Sequence, residues 1–314
     1  MSIKAVVVDP AAEGRLVFQD VAEPNPLPFE AVVKVVSISL NRGEVRRAGV
    51  AAAGWRPGWD LAGVVTKPAA DGSGPKEGAR VVGMLGAGSW AELVAVPTYS
   101  LAVLPEQVTF AQASTLPVAG LTALHALRKG GLLLERSVLI TGATGGVGDF
   151  ALQLARLSGA KVVAHIRKAD QEAQVREAGA ETVVVGDSIP DNPPFGPYHL
   201  ILDSVGGTVL GSALSHVGEG GTLVSYGTSG GTQITFDASK FYPIGRASYY
   251  GFILFDELKM VEPAGLGLTV LSNLVASGKL QTRISVEADW SEIANVARQL
   301  TERAYPGKAV LHIS

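Results

Sequence analysis

The sequence contains no cysteine, which excludes disulfides, thiolate nucleophiles and every zinc site built on sulfur. Histidine offers no substitute, because the five histidines are scattered and show no metal-ligand spacing. They lie at His125, His165, His199, His216 and His312. We therefore expect no metal site.

Charge of one sign is also lacking. The chain has 26 basic and 29 acidic residues, a net charge of −3, and charged residues make up only 18% of it. No global positive field exists to attract nucleic acid or an anionic membrane. We expect neither as a partner. With 47% hydrophobic residues, the composition is that of a globular protein with a large core.

Long hydrophobic runs are missing as well, since none approaches the roughly 20 residues of a membrane-spanning helix. The first apolar run, Ala5–Val8, ends at Asp9 and is too short for the core of a secretory signal. These features predict a soluble, cytoplasmic protein.

The pattern of the chain changes near Ser114. The part before it has short β-like runs separated by Gly and Pro, whereas the part after it alternates strands and helices, as a doubly wound parallel α/β sheet does. A mixed tail follows Glu262 and is expected to return to the front domain. We predict an α/β protein with one domain formed by residues 1–115 and 262–314 and another by residues 116–261.

The most specific motif is the glycine-rich run Gly142-Ala-Thr-Gly-Gly-Val-Gly148, which follows an apolar strand and opens a helix. Glycines there allow a tight turn and a close approach to a pyrophosphate, and the helix N-terminus offers free N–H groups. The run predicts a dinucleotide site at Gly145, Gly146 and Val147. A purely structural turn is the alternative.

The next strand indicates which dinucleotide is bound. NAD sites carry an acidic residue about 20 residues after the glycine loop, yet none lies between Asp149 and Asp170 here. The strand is followed instead by Arg167 and Lys168, which can bind a 2′-phosphate. We predict NADPH rather than NADH, with solvent-facing cations as the alternative. Thr122 and the segment Asp203-Ser-Val-Gly-Gly207 are expected near the same sheet edge.

An ordered series of motifs extends over nearly the whole chain. The motifs are Asn41-Arg-Gly-Glu44, Pro57-Gly-Trp-Asp-Leu-Ala-Gly-Val-Val65, Gly88-Ser-Trp-Ala-Glu-Leu-Val-Ala-Val-Pro97, Leu116-Pro-Val-Ala-Gly-Leu-Thr-Ala-Leu124, the glycine run, Asp203-Ser-Val-Gly-Gly207 and Gly307-Lys-Ala-Val-Leu311. Through them the sequence resembles the medium-chain dehydrogenase/reductase superfamily, and within it the zinc-independent quinone oxidoreductase-like branch. The resemblance implies a GroES-like β-rich catalytic domain, a Rossmann domain and a nicotinamide bound in the cleft.

The resemblance also implies roles for single residues. Asn41 would lie beside the nicotinamide and donate to the acceptor oxygen, unless it only caps a turn at Glu44–Arg47. Lys308 would reach the cofactor or only cap the last strand. The remaining implied cofactor contacts are Val205, Gly206, Gly227, Thr228, Phe252, Ile253 and Leu254. In the family, an edge strand such as that expected near Tyr249–Phe255 pairs with its copy, which implies a homodimer.

Two departures from the family pattern matter. Zinc-dependent relatives carry Gly-His-Glu where this chain has Gly58-Trp-Asp60, so zinc polarisation of an alkoxide is not expected. The tyrosine that many quinone oxidoreductases place shortly after Asn-x-x-Asp/Glu is also missing, which leaves the substrate pocket undefined. Candidate acids are Tyr226, Tyr242, Tyr249 and Tyr250.

Without zinc, the substrate must accept hydride easily, as a quinone or an α,β-unsaturated carbonyl does. The sequence therefore predicts an NADPH-dependent oxidoreductase acting on such small molecules. An enoyl-thioester reductase is one alternative, with a basic entry formed by Arg42, Arg46, Arg47 and Arg56. A non-catalytic NADPH-binding regulator or RNA-binding protein is the other.

Overall fold

The computed structural model describes residues 2–314, which divide into two compact units. The first unit comprises residues 2–121 and 258–314, and the second comprises residues 122–257. No helix among these described residues is both long enough and apolar enough to cross a bilayer.

Strands and helices alternate along most of the chain. The strands are β1 (Ser2–Val8), β2 (Leu16–Ala22), β3 (Glu30–Ser39), β4 (Asp60–Lys67), β5 (Arg80–Met84), β6 (Leu93–Pro97), β7 (Leu101–Val103), β8 (Ser137–Thr141), β9 (Lys161–Ile166), β10 (Thr182–Val185), β11 (Tyr198–Asp203), β12 (Val217–Ser225), β13 (Ser248–Gly251), β14 (Ile284–Asp289) and β15 (Lys308–His312). The helices are α1 (Arg42–Ala48), α2 (Phe110–Ser114), α3 (Leu121–Arg128), α4 (Gly146–Leu157), α5 (Glu172–Glu177), α6 (Gly207–Leu214), α7 (Ala238–Phe241), α8 (Leu254–Met260), α9 (Ala264–Ala276) and α10 (Ile293–Glu302).

The first unit is built on a seven-stranded sheet in the order β14-β15-β3-β4-β5-β7, with β6 paired to β3 and a separate β1–β2 hairpin. Strand β15 runs antiparallel to β3, so the C-terminal part of the chain completes this sheet. Helix α10 presents Ile293, Val296, Ala297 and Leu300 to the core, the i, i+3, i+4, i+7 spacing of an amphipathic helix.

The second unit contains a six-stranded parallel sheet in the order β10-β9-β8-β11-β12-β13. In order of appearance this is 3-2-1-4-5-6, the doubly wound arrangement. The interior of the central strand β8, residues 138–140, is apolar and buried, as expected of a strand covered on both faces. The predicted fold class, α/β with a doubly wound sheet and a separate β-rich unit, is confirmed.

The predicted strand near Tyr249–Phe255 is wrong in its C-terminal half. Strand β13 ends at Gly251, and helix α8 begins at Leu254. A short apolar run has no periodicity that separates strand from helix, so its apolar character alone could not locate this change. The edge position itself is as expected, because β13 pairs only with β12.

Candidate functional site

Buried polar side chains cluster in the first unit around the start of α1. Asn41 is the N-cap residue of this helix, and Glu44 lies in its first turn. Ser39 ends β3, Asp60 opens β4 and Lys308 opens β15. All are at most 9% exposed, so their polar groups depend on one another for hydrogen bonds.

Lys308 occupies the centre of this cluster. Its ammonium group donates to Leu40 O over 2.9 Å and to Asn41 Oδ1 over 2.6 Å, and lies 3.3 Å from Asp60 Oδ2. These three contacts match the three donors of an ammonium group. All three donors of the Lys308 ammonium group are thus engaged inside the first unit. The contact between Lys308 and a cofactor stays a prediction.

The carboxamide of Asn41 is equally occupied. Its Nδ2 donates to Asp60 Oδ2 over 2.8 Å and to Glu44 Oε1 over 3.0 Å, which uses both amide hydrogens. A substrate oxygen can therefore accept from Asn41 only by replacing one of these carboxyl oxygens. The N-cap position of Asn41 also agrees with the capping role considered as the alternative.

Burial disfavours the charged form of Glu44. Burial, together with the nearby Asp60, raises the pKa of Glu44 well above its usual value, against the opposing effect of Lys308. Its Oε1 accepts from the Asn41 N–H over 2.7 Å, whereas Oε2 is buried without a hydrogen-bond partner in the described part of the chain. The two donors of Asn41 thus converge on one oxygen of Glu44, while Lys308 contacts Asp60.

Asp60 and Glu44 are site residues that the sequence analysis did not select. Asp60 also accepts from Ser39 Oγ over 2.7 Å and from the Val118 N–H over 3.0 Å. With the donors of Asn41 and Lys308 included, a total of four donors converge on this carboxyl group. A carboxylate that opens an apolar strand was the available signal for Asp60. The Asn-x-x-Glu spacing, that of a capping box, was the signal for Glu44.

Trp59 occupies the position at which zinc-dependent relatives carry histidine. Its indole packs against Gly43, where an added Cβ would lie 2.6 Å from the ring, and its Nε1 donates to Gly86 O over 3.0 Å. The aromatic ring is thus fixed between α1 and the loop after β5. Within residues 2–314, no group of three His, Asp or Glu side chains is placed to hold a metal ion.

In the second unit, the segments selected from the sequence follow the carboxyl ends of parallel strands and so meet at one sheet edge. Gly145, Gly146 and Val147 follow β8, Arg167 and Lys168 follow β9, Val205 and Gly206 follow β11, Gly227 and Thr228 follow β12, and Phe252, Ile253 and Leu254 follow β13. This edge is where doubly wound sheets bind ligands.

The glycine loop makes a tight turn at positions where a side chain would not fit. Gly142 has a φ of 58°, and an added Cβ on Gly148 would lie 2.7 Å from the Cα of Ala143. Gly145 is the N-cap residue of α4, whose first-turn N–H groups have no intrahelical acceptor. The loop therefore presents unpaired donors and the positive end of a helix dipole to an anion.

Arg167 and Lys168 are both exposed directly after β9. Neither side chain has a hydrogen-bond or ion-pair partner among the residues that the structure describes. They leave two free cations beside the glycine loop. No carboxylate neutralises them, so they can bind a phosphate.

Asp203 shapes the turn after β11. One of its carboxylate oxygens accepts from Thr141 Oγ1 over 2.6 Å, and the other accepts from the Gly206 N–H over 3.0 Å. Burial raises the pKa of Asp203, while these hydrogen bonds oppose the rise. The role of Asp203 in fixing this turn was not apparent from the sequence, because it depends on contacts with Thr141 and Gly206.

The loops after β11 and β12 lie against each other. The Gly230 N–H donates to Val205 O over 2.6 Å, and an added Cβ on Gly227 would lie 2.9 Å from Ser204 O. Only glycine allows this close approach of two backbones. The structure thus brings together Val205–Gly206 and Gly227–Thr228, which were selected separately.

Other selected cofactor residues differ in exposure. Thr122 in α3 is 5% exposed, while Phe252 and Leu254 are 6% and 7% exposed. Ile253 is 60% exposed. Phe252 and Leu254 are thus largely withdrawn from solvent, whereas Ile253 is open to it.

The candidate acids are not equivalent. Burial raises the pKa of Tyr226 above its usual range, so this phenol remains protonated. The Tyr250 hydroxyl donates to Glu257 Oε1 over 2.5 Å. Tyr242 and Tyr249 are 78% and 50% exposed. None of the four belongs to the buried cluster of the first unit.

Comparison with protein families matches both parts of the chain. Residues 28–106 match the family model of the alcohol dehydrogenase GroES-like domain, and residues 146–266 match that of the zinc-binding dehydrogenases. The first match covers strand β4, which begins at Asp60, and the second begins at Gly146 within the glycine run and covers β9 to β13.

Individual relatives agree with these matches. A 2-methylene-furan-3-one reductase of Solanum lycopersicum is 31% identical over 65% of this chain, but the chain spans only 56% of its length. A chloroplast envelope quinone oxidoreductase homolog of Arabidopsis thaliana is 29% identical, with 92% of this chain and 91% of the relative aligned.

Solved structures extend the likeness to the whole chain. The quinone oxidoreductase of Coxiella burnetii superposes over 100% of both chains with a TM-score of 0.82 and 26% identity. Together with the ordered motifs, the parallel-sheet edge and the two family models, these relatives establish the lineage. The chain belongs to the medium-chain dehydrogenase/reductase superfamily, in its quinone oxidoreductase-like branch.

Proposed function

We propose that the protein is an NADPH-dependent oxidoreductase that reduces a quinone or an α,β-unsaturated carbonyl without a metal ion. The observation that carries this proposal is the convergence of the glycine loop, the 203–206 turn and the free cations Arg167 and Lys168 on one edge of a doubly wound sheet. Such an edge supplies the helix N-terminus and the cations that the phosphate groups of a dinucleotide require.

The residues of the second unit divide the binding of NADPH among them. The first-turn N–H groups of α4 receive the pyrophosphate, and Arg167 and Lys168 receive the 2′-phosphate. The adjoining loops at 205–206 and 227–228 line the path of the cofactor. When bound, the nicotinamide supplies a hydride.

The acceptor is proposed from the chemistry of the first unit. Hydride addition to a conjugated carbonyl moves negative charge onto its oxygen, which needs hydrogen-bond donors rather than a Lewis acid. The buried cluster places the Asn41 carboxamide beside the ammonium group of Lys308 and the carboxyl group of Glu44, whose pKa burial raises. The named relatives that reduce a methylene-furanone or quinones support this substrate class.

Asn41 is proposed as the catalytic residue that donates to the acceptor oxygen. Its two amide hydrogens bond to Asp60 and Glu44, so donation requires the exchange of one partner. The bond to Glu44 is longer by 0.2 Å and is the easier one to give up. Asp60 and Lys308 would then hold the amide in place.

A cytoplasmic homodimer completes the proposal. Strand β13 is exposed along its whole length at the edge of the sheet, and such an edge is a template for pairing with another strand. A second copy that pairs there would continue the sheet across both chains.

The test is a panel of quinones, enones and enoyl thioesters, with oxidation of NADPH followed in the presence of a chelator. Turnover of quinones or enones that survives chelation supports the proposal. Turnover confined to enoyl thioesters would assign the alternative substrate class, and NADPH binding without turnover of any acceptor would contradict an enzymatic role.

A further inference from the structure

Arg56 is a half-buried arginine without a partner. Its Nε is buried and makes no hydrogen bond, and no ion pair to its guanidinium group exists among residues 2–314. Burial alone lowers the pKa of Arg56, with no neighbouring carboxylate to offset that effect. A guanidinium group that loses solvation without gaining an acceptor is unusual, because buried polar groups are nearly always paired.

Other arginines of the first unit show how such a group is normally satisfied. Arg80 donates to the carbonyl oxygens of Pro105, Glu106 and Val108. Arg15 likewise donates to Ala51 O over 2.8 Å. Arg56 has no equivalent acceptor, so its hydrogen-bonding capacity is not used by the fold.

The surroundings of Arg56 leave room for a ligand. Its Cβ lies 4.0 Å from the position that a Cβ on Gly88 would occupy, and a Cβ on Gly86 would meet no atom within 4 Å. The loop at 85–88 therefore borders open space. In the same loop, Gly86 O accepts the indole N–H of Trp59. Arg56 and Trp59 therefore both lie beside this loop.

Arg56 is also close in the chain to the buried cluster of the first unit. It precedes Trp59 by three residues and Asp60 by four, and Asp60 is hydrogen bonded to Asn41. The ring of Trp59 packs on Gly43, two residues after Asn41. A free cation, a fixed aromatic face and the proposed donor thus belong to one region of the first unit.

We propose that Arg56 binds an anionic group, such as a carboxylate, carried by the acceptor substrate. The inference rests on the proposed function and narrows it, since the preferred acceptors are then enones or quinones with a negatively charged substituent. A carboxylate matches the planar donor fork of a guanidinium group, and a partly desolvated setting strengthens the contact. Trp59 supplies a flat surface against which the conjugated part of the acceptor can stack.

The test compares two acceptors that share one reacting enone: 4-oxopent-2-enoate and its methyl ester. The ratio of their kcat/KM values is measured with NADPH for the wild type, Arg56→Gln, Arg56→Lys and a control, Arg298→Ala. The control removes an exposed arginine of the same unit that is paired with Glu302. Because each variant is compared through a ratio, differences in the intrinsic reactivity of acid and ester cancel.

We expect the acid-to-ester ratio to fall at least about tenfold in Arg56→Gln, the loss of one charge-assisted contact, and to be partly retained in Arg56→Lys. The control should keep the wild-type ratio. An acid-to-ester ratio that is the same in Arg56→Gln and the wild type overturns the inference. This includes the case in which kcat/KM falls equally for both acceptors, which would mean that Arg56 stabilises the enolate oxygen instead.

A binding measurement separates this inference from the proposed function. 4-Oxopentanoate, the saturated product, needs no turnover, and its dissociation constant is measured by calorimetry on protein loaded with NADP⁺. A constant at least about tenfold weaker in Arg56→Gln supports the inference even if no acceptor oxidises NADPH. Equal constants, or no binding to the wild type, overturn it, and unchanged circular dichroism of the variant shows that it is folded.

Discussion

The ammonium nitrogen of Lys308 lies 2.6 Å from the carboxamide oxygen of Asn41. This contact fixes which side of the amide is oxygen and directs both Nδ2 hydrogens to carboxyl groups. A lysine on the last strand of the first unit thereby sets the orientation of the residue proposed to polarise the acceptor.

If Asn41 donates to the acceptor oxygen as charge develops there, Asn41→Ala should lower kcat and kcat/KM together by about a hundredfold. The affinity for NADPH should barely change. Steady-state kinetics and dinucleotide titration measure both quantities, with Asn295→Ala on the exposed side of α10 as the control. Retention of kcat with a loss of NADPH affinity would identify Asn41 as a cofactor or capping residue.

The Asp60–Lys308 pair should be far more important for stability than a surface pair. Lys308→Met leaves Asp60 charged and buried, which should lower the free energy of unfolding by about 3–5 kcal/mol. Arg298→Met breaks an exposed pair with Glu302 and should cost less than about 1 kcal/mol. Urea unfolding followed by tryptophan fluorescence compares them. All four tryptophans lie in the first unit, so the signal reports on the unit that holds both pairs.

Glu44→Gln should change how stability depends on pH. The pKa of Glu44 in the folded protein is raised above its usual value of 4.5. The contribution of Glu44 to the free energy of unfolding is therefore complete below pH 4.5 and is lost as the pH rises through the folded-state pKa. Glutamine keeps an acceptor for Asn41 and does not titrate. The variant should gain stability relative to the wild type above this pH, by at most about 1.4 kcal/mol per pH unit. If the free energies of unfolding of the variant and the wild type change in parallel with pH, the pKa of Glu44 is not raised in the folded protein.

Cofactor preference should depend on Arg167. The wild type should bind NADPH at least about tenfold more tightly than NADH, because charge-assisted contacts to a phosphate contribute roughly 1.5–3 kcal/mol. Arg167→Ala should lose most of that preference without weakening NADH. Arg246→Ala, which removes an exposed arginine paired with Glu219, is the control. Equal affinities of the wild type for both dinucleotides would falsify the assignment.

The dimer proposal can be tested at a single backbone N–H. Phe252 N donates to Ser225 O toward β12, so by alternation the N–H of Tyr249 points to the free edge of β13. Tyr249→Pro removes that donor and leaves the β12–β13 ladder intact. It should convert a dimer to a monomer in light scattering, whereas Tyr249→Phe should remain dimeric. A proline variant with the wild-type mass means that this edge does not pair.

Strands β8, β9 and β10 could be predicted from the sequence because each is a short, largely apolar run followed by glycine or by charged residues. The glycine loop and Arg167 could be selected for the same reason, since a parallel sheet directs all its carboxyl ends to one edge. Helix α8 was mistaken for strand because Leu254 and Phe255 continue an apolar run across the end of β13.

The buried cluster was beyond such reasoning. Asp60 and Lys308 are 248 residues apart in the chain, and their pairing depends on how β15 joins the sheet. The protonation of Glu44 depends in turn on burial and on Asp60, neither of which a local pattern encodes. Likewise, the lack of a hydrogen-bond acceptor for the buried Nε of Arg56 can be recognised only from the folded structure, in which the positions of the surrounding acceptors are known.

The entry of β15 into the sheet of the first unit also bears on synthesis at the ribosome. The second unit is one continuous stretch, residues 122–257, and can fold as soon as it has emerged. The first unit is completed only when β15 has emerged, because among residues 2–314 the ion-pair partner of Asp60 is Lys308. Throughout the translation of the second unit, the nascent chain therefore carries an incomplete seven-stranded sheet, in which the edge of β3 that later pairs with β15 is unpaired. This edge is the segment that chaperones would need to shield.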